Sequence, residues 1–233
     1  MDELMPQSGV RDALAQLDNR RFSSVIAHEA LPFRDHCVRG SGVLPGVFLV
    51  DLVLRAVHAC GADATRVELA RCLFRTPVVS NGHDIRLRVE LSAQDSSAVR
   101  AIVLGRDDPA NAWTTHMECT VQSAVVDSAL PDPRTGLSGP DADDLDEMYR
   151  FARRLGIEHG PFMPPTGRVA RAGEGAVAEL LLHDLAQPAQ DEFFLHPVLL
   201  DSATLVPFWA LEDSLRESLF EPLIPLYIDR VVV

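Results

Sequence analysis

The chain is short of positive charge. Its 233 residues carry 21 Lys and Arg against 34 Asp and Glu, a formal net charge of -13. That balance argues against nucleic acid and anionic membranes as partners. Cysteine is scarce too. Cys37, Cys60, Cys72 and Cys119 form no C-x-x-C pair, which points away from a disulfide framework and towards free thiols in a reducing, cytoplasmic setting. No apolar run is long enough to span a bilayer, and no charged-then-apolar leader opens the chain. What is present is an ordinary globular balance of 47% hydrophobic and 24% charged residues, with length for one large domain or two small ones.

The stretch Phe33 to Gly61 organises the rest. His36 comes first, then a glycine-rich turn, then Leu44-Pro45-Gly46, then an apolar run from Val47 to Cys60 broken only by Asp51, Arg55 and His58. Proline is favoured where a helix begins, and a helix apolar nearly all round is expected to be buried. The unpaired N–H groups of its first turn, at Gly46 and Val47, then lie close to an imidazole. Negative charge developing on an oxygen is stabilised at such a place. This outlines a site for proton abstraction beside a carbonyl.

The remaining order is regular. Residues 1–20 read as a polar tail, and Phe22 to Ala30 as an edge strand. Four period-2 strands follow the helix, around 66–74, 84–92, 99–104 and 113–121, separated by turn signals such as Asn81-Gly82 and Asp107-Asp108-Pro109. Residues 123–144, rich in Pro, Gly, Ser and Asp, read as a linker. A short helix at 145–155 precedes two alternating runs about Gly173-Glu174-Gly175, a hairpin signal. His196-Pro197 then opens a second apolar helix, running to about Leu219, in which Pro207 predicts a kink or break. Leu226 to Val233 is a last strand. The halves 21–122 and 145–233 thus share an order of strand, buried helix, strands, which reads as an α+β duplication. The second half has one strand after its helix against four in the first. Its C-terminal strands are therefore expected to be missing from this chain or supplied by another.

Two spacings carry the chemistry. His36-x3-Gly40-x4-Pro45 is expected by chance only about 0.03 times in a chain of this composition. In His196-Pro197-Val198-Leu199-Leu200-Asp201 a carboxylate sits on an apolar helix, which is costly unless paired or functional. Together these resemble the dehydratase domain of modular polyketide synthases, a double-hotdog fold. The first spacing matches that family's histidine motif and HPVLLD its aspartate motif. GIEHGPF at 156–162 is similar to its tyrosine-glycine-proline motif, and PLYIDRVVV at 225–233 to the strand after its second helix. Three departures stand out. Leu205 occupies the place of a Gln or His four residues after the aspartate. His159 stands for the tyrosine before Gly160, in a motif whose ending Phe162-Met163-Pro164 also differs, and the C-terminal strands typical of the family are expected to be absent.

The resemblance implies a lyase that removes water from a β-hydroxyacyl thioester, with His36 and Asp201 given by opposite halves. Imidazole, with a reference pKa of about 6.5, suits removal of the α-proton. A carboxylic acid buried among apolar neighbours suits protonation of the leaving hydroxyl. Gly46, with Pro45 and Val47 beside it, would bind the thioester carbonyl. His159, Gly160 and Leu205 would face the substrate, His159 replacing a tyrosine hydroxyl as a donor. The substrate would come on the phosphopantetheine arm of an acyl carrier protein, and no metal or nucleotide is needed. A homodimer or neighbouring synthase domains are the other expected partners. The alternatives are double-bond isomerisation or oxygen-ring closure by the same dyad, or a catalytically silent docking domain.

Overall fold

The computed structural model describes residues 17–95, 97–124, 143–172, 175–209, 211, 218–222, 224 and 226–233. Most of the expected tail and linker, the Gly173-Glu174 tip and much of the stretch from 210 to 219 lie outside the described residues. In chain order the elements are β1 (Arg20–Ile26), α1 (Leu31–Arg34), β2 (His36–Val38), β3 (Ser41–Gly42) and α2 (Gly46–Ala59). Then come β4 (Val67–Phe74), β5 (Ile85–Ala93), β6 (Ala98–Arg106), β7 (Thr114–Ser123), β8 (Asp143–Asp144) and α3 (Leu145–Arg154). The last are β9 (Ile157–His159), β10 (Thr166–Ala172), β11 (Gly175–Leu181), α4 (Pro197–Trp209) and β12 (Tyr227–Val232). They form two compact units interleaved in sequence. One holds Met1–His28, Phe48–Val126 and Pro225–Val233; the other holds Glu29–Val47 and Asp127–Ile224.

The first unit is built on a six-stranded antiparallel sheet in the order β1-β5-β6-β7-β4-β12. The period-2 pattern does what it should. In β5, Ile85, Leu87, Val89 and Leu91 are buried while Arg86 is exposed, so one face is apolar. The four strands expected after the helix are present, and β1 is an edge strand as expected. Helix α2 begins one residue earlier than the apolar run suggests, with Pro45 just before it. Leu52, Val53, Leu54, Ala56 and Val57 are all at most 1% exposed, the burial that an all-round apolar helix requires. The final strand, β12, closes onto β4, with Tyr227 opposite Leu73 and Val232 opposite Glu68.

The second unit has two small sheets, β11-β10-β8 and β3-β2-β9, with α3 and α4. The hairpin read from sequence is present as β10 and β11, closing with Ala172 opposite Gly175. Helix α3 buries Leu145, Met148, Tyr149 and Ala152, a spacing of three and four that makes one apolar stripe. Leu145, Met148 and Tyr149 pack with Val169 of β10, and Ala176, Ala178, Leu180, Leu205 and Val206 pack around them. Helix α4 runs two residues past Pro207. Among the described residues, each sheet of this unit has three strands, and the strand that follows α4, β12, pairs with β4 in the six-stranded sheet.

Candidate active site

A two-residue turn aims the first histidine. Arg39 and Gly40, between β2 and β3, have φ of 51° and 78°, the left-handed pair of a type I′ hairpin. Val38 pairs with Ser41, and continuing this register brings Val43 back beside His36. The Val43 N–H donates to the His36 carbonyl at 3.0 Å. The His36 Nδ1 lies 2.6 Å from the Val43 carbonyl oxygen, so Nδ1 carries the proton and Nε2 keeps its lone pair. The spacing of His36 and Gly40 thus has a local cause. Gly40→Val would force a β-branched residue into left-handed backbone, at about 1–3 kcal/mol. A lower thermal midpoint and slower turnover are the expected readouts.

Strand pairing supplies the second histidine. His36 of β2 lies directly opposite His159 of β9, and cross-strand partners project to one face. Their ring centroids are 5.3 Å apart. Asp201, in the first turns of α4, completes the group. One carboxylate oxygen, Oδ1, is 3.9 Å from His36 Nε2, and the other, Oδ2, is 3.2 Å from His159 Nε2. All three side chains are shielded from water, His159 almost completely at 1% exposure. Burial pulls the His36 imidazole below its ordinary pKa, the neighbouring Asp201 opposing this and His159 adding to it. The free-base form is thereby favoured.

Residues not singled out in the sequence hold this group in place. Tyr149 stacks edge-on against His159 with centroids 4.8 Å apart. Its hydroxyl is 2.5 Å from Ser202 Oγ. Ser202 donates its own proton to the Val198 carbonyl at 2.6 Å, so Tyr149 is the donor of the pair. Burial raises the Tyr149 pKa, so it remains a phenol. Asp35, 4% exposed, anchors the 159–162 loop. Its carbonyl accepts the Gly160 N–H at 2.8 Å, and its Oδ2 accepts the Phe162 N–H at 2.9 Å. Burial alone would raise the Asp35 pKa, but the Arg34 hydrogen bond and the Phe162 N–H outweigh it and hold the carboxyl below its usual value. A Cβ on Gly160 would come within 2.7 Å of Asp35 Cγ, so only glycine fits there. Asp35→Ala leaves the Phe162 N–H without its partner, costing about 1–3 kcal/mol. The segment that follows His159 would be released at Phe162, with a fall in kcat exceeding any change in KM.

The other sequence candidates fall as follows. Pro45 and Val47 are buried and Gly46 is half-buried, and Gly46 and Val47 lie in the first turn of α2, where N–H groups have no intrahelical acceptor. Gly160 gives its N–H to Asp35. Leu205, one turn beyond Asp201, packs on the Leu145–Met148–Tyr149–Val169 cluster. His196 caps α4, accepting the Val198 N–H at 3.3 Å. His28, His116 and His183 are bonded to Asp84, the Thr76 carbonyl and the Phe162 carbonyl. All four cysteines are free thiols, and no helix among the described residues is long and apolar enough to cross a membrane.

Comparison with known proteins gives the family. A family model described as polyketide synthase dehydratase domain matches residues 9–106, and one described as polyketide synthase dehydratase N-terminal domain matches 128–233. Polyketide synthase GfsE of Streptomyces halstedii is 32% identical over 189 residues, covering 77% of this chain and 5% of that protein. The pikromycin polyketide synthase component PikAII of Streptomyces venezuelae is 32% identical over 207 residues, covering 85% and 5%. The chain therefore spans only a small part of the curated relatives it matches. Among solved structures, an N-terminal dehydratase from the difficidin assembly line superposes with a TM-score of 0.81 at 27% identity, over 92% of this chain and 74% of that one. A monomeric dehydratase domain from a trans AT polyketide synthase split module gives 0.80 at 20% identity, over 90% and 80%. The chain belongs to the polyketide synthase dehydratase domains and has their α+β double-hotdog fold.

Proposed function

We propose that this chain dehydrates a β-hydroxyacyl thioester, with His36 as base and Asp201 as acid. The observation that carries the reading is the convergence of an imidazole with a free Nε2 lone pair and a shielded carboxyl, 3.9 Å apart. His36 Nε2 takes the α-proton, and the electron pair left on carbon moves into the thioester carbonyl. The enolate oxygen so formed is stabilised by the N–H groups at the start of α2, at Gly46 and Val47. As the enolate collapses, Asp201 gives its proton to the β-hydroxyl, the C–O bond breaks and water leaves. The products are an α,β-unsaturated thioester, a protonated His36 and an ionised Asp201, and one proton passed between them restores the starting state.

Relatives are parts of polyketide synthases, which supports delivery of the substrate on the phosphopantetheine arm of an acyl carrier protein, beside neighbouring synthase domains. The test is incubation with a β-hydroxyacyl pantetheine thioester, followed by mass and absorbance. Loss of one water with a new enoyl absorbance supports the reading. Loss of water without that chromophore means ring closure instead, and an unchanged substrate means a silent domain.

A further inference from the structure

We infer that His36, His159 and Asp201 form a binding site for a divalent transition-metal ion of the zinc class, and that the bound ion shuts the proposed dehydratase off. The ligand atoms of these three residues all lie within 4.8 Å of one another. Two imidazoles and a carboxylate are the donor types that borderline ions such as Zn²⁺ and Co²⁺ prefer over Mg²⁺. With metal–ligand bonds of about 2.0–2.2 Å, tetrahedral donors stand roughly 3.3–3.6 Å apart. The histidine–aspartate separations are 3.2 Å to one carboxylate oxygen and 3.9 Å to the other, so a small rotation of the Asp201 carboxylate and imidazoles would close the three donors to that spacing.

The surroundings favour coordination. His36 has its Nδ1 proton on the Val43 carbonyl, the outer hydrogen bond that fixes a metal-ligating histidine and directs Nε2 inward. His159 Nδ1 is buried with no hydrogen-bond partner among the described residues, so its proton can move there and free Nε2 for the ion. Asp201 already offers one oxygen to each imidazole. Side-chain exposures of 10% for His36 and 12% for Asp201 leave an approach from solvent. Coordination takes up the same Nε2 lone pair that proton abstraction needs, so the ion acts as an inhibitor. Inhibition rests on the proposed role of His36; binding does not.

The test is titration of the full chain with Co²⁺, read by its visible ligand-field absorbance, and then with competing Zn²⁺. One ion per chain is expected, with no competition from Mg²⁺, and Co²⁺ should broaden the His36 and His159 imidazole resonances in the unmodified chain. His159→Gln and Asp201→Ala should each weaken Zn²⁺ binding on the order of 100-fold, with thermal melts confirming that each variant folds. Zn²⁺ should stop turnover and a chelator restore it. Absence of the ligand-field band, or affinity unchanged in both folded variants, overturns the site. If Co²⁺ binds as described but the thioester is not dehydrated with or without a chelator, the site stands and the dehydratase reading falls.

Discussion

His36→Ala and Asp201→Asn should each slow dehydration of a β-hydroxyacyl pantetheine thioester by roughly 10²–10⁴-fold, the usual worth of a positioned acid or base. Most of the loss should fall on kcat. Neither residue anchors a core. His36 is held by a main-chain hairpin that persists without its ring, and Asp201 faces two imidazoles rather than the apolar cluster below it. Both variants should therefore keep the far-ultraviolet circular dichroism of the parent. Turnover that survives either change would remove that residue from the reaction. A variant that fails to fold would show it in the same spectrum, so the two causes of lost activity are separable.

Gly167→Ala should give the largest change in stability. Gly167 lies in β10 with φ of 141°, and a Cβ there would sit 1.8 Å from the Glu179 carbonyl oxygen. No rotamer relieves a collision between two main chains, so β10 and β11 must separate locally. The expected cost is about 3 kcal/mol, at the upper end for overpacking. In a chain of this length that lowers the thermal midpoint by about 6–12 °C. The damage should spread, because Ala178 and Leu180 of β11 pack on the cluster that also holds Tyr149 and Leu205. Turnover should fall along with stability, and an unchanged midpoint would show that the hairpin absorbs the methyl group.

How much of this was legible in the sequence differs by element. The long strands were, because Ile85 to Leu91 alternates without interruption and one buried face requires that pattern. Helix α2 was legible from its apolar run, and His36 and Asp201 were picked out as candidates by their spacings; the structure sets them 3.9 Å apart. The strands β2 and β9 were not, since three residues are too few to establish a period, and the partners His36 and His159 are far apart in sequence. For the same reason the sequence offered His159 only as a donor to the substrate in place of a tyrosine, while the structure sets its Nε2 against Asp201. Asp35 gave no sign of its role. A carboxylate next to Arg34 looks like a surface pair, and only the folded loop reveals the Phe162 N–H that it accepts. Tyr149 and Ser202 lie on different helices, and nothing local to either announces the hydrogen bond between them.

The cross-strand ladder joining His36 to His159 has a dynamic consequence. The two rings are mounted on one ribbon, so displacing either by more than a rotamer hop means peeling main-chain bonds rather than swinging a side chain. Slow hydrogen–deuterium exchange at the β2 and β9 amides would then report directly on how rarely the chemical centre comes apart.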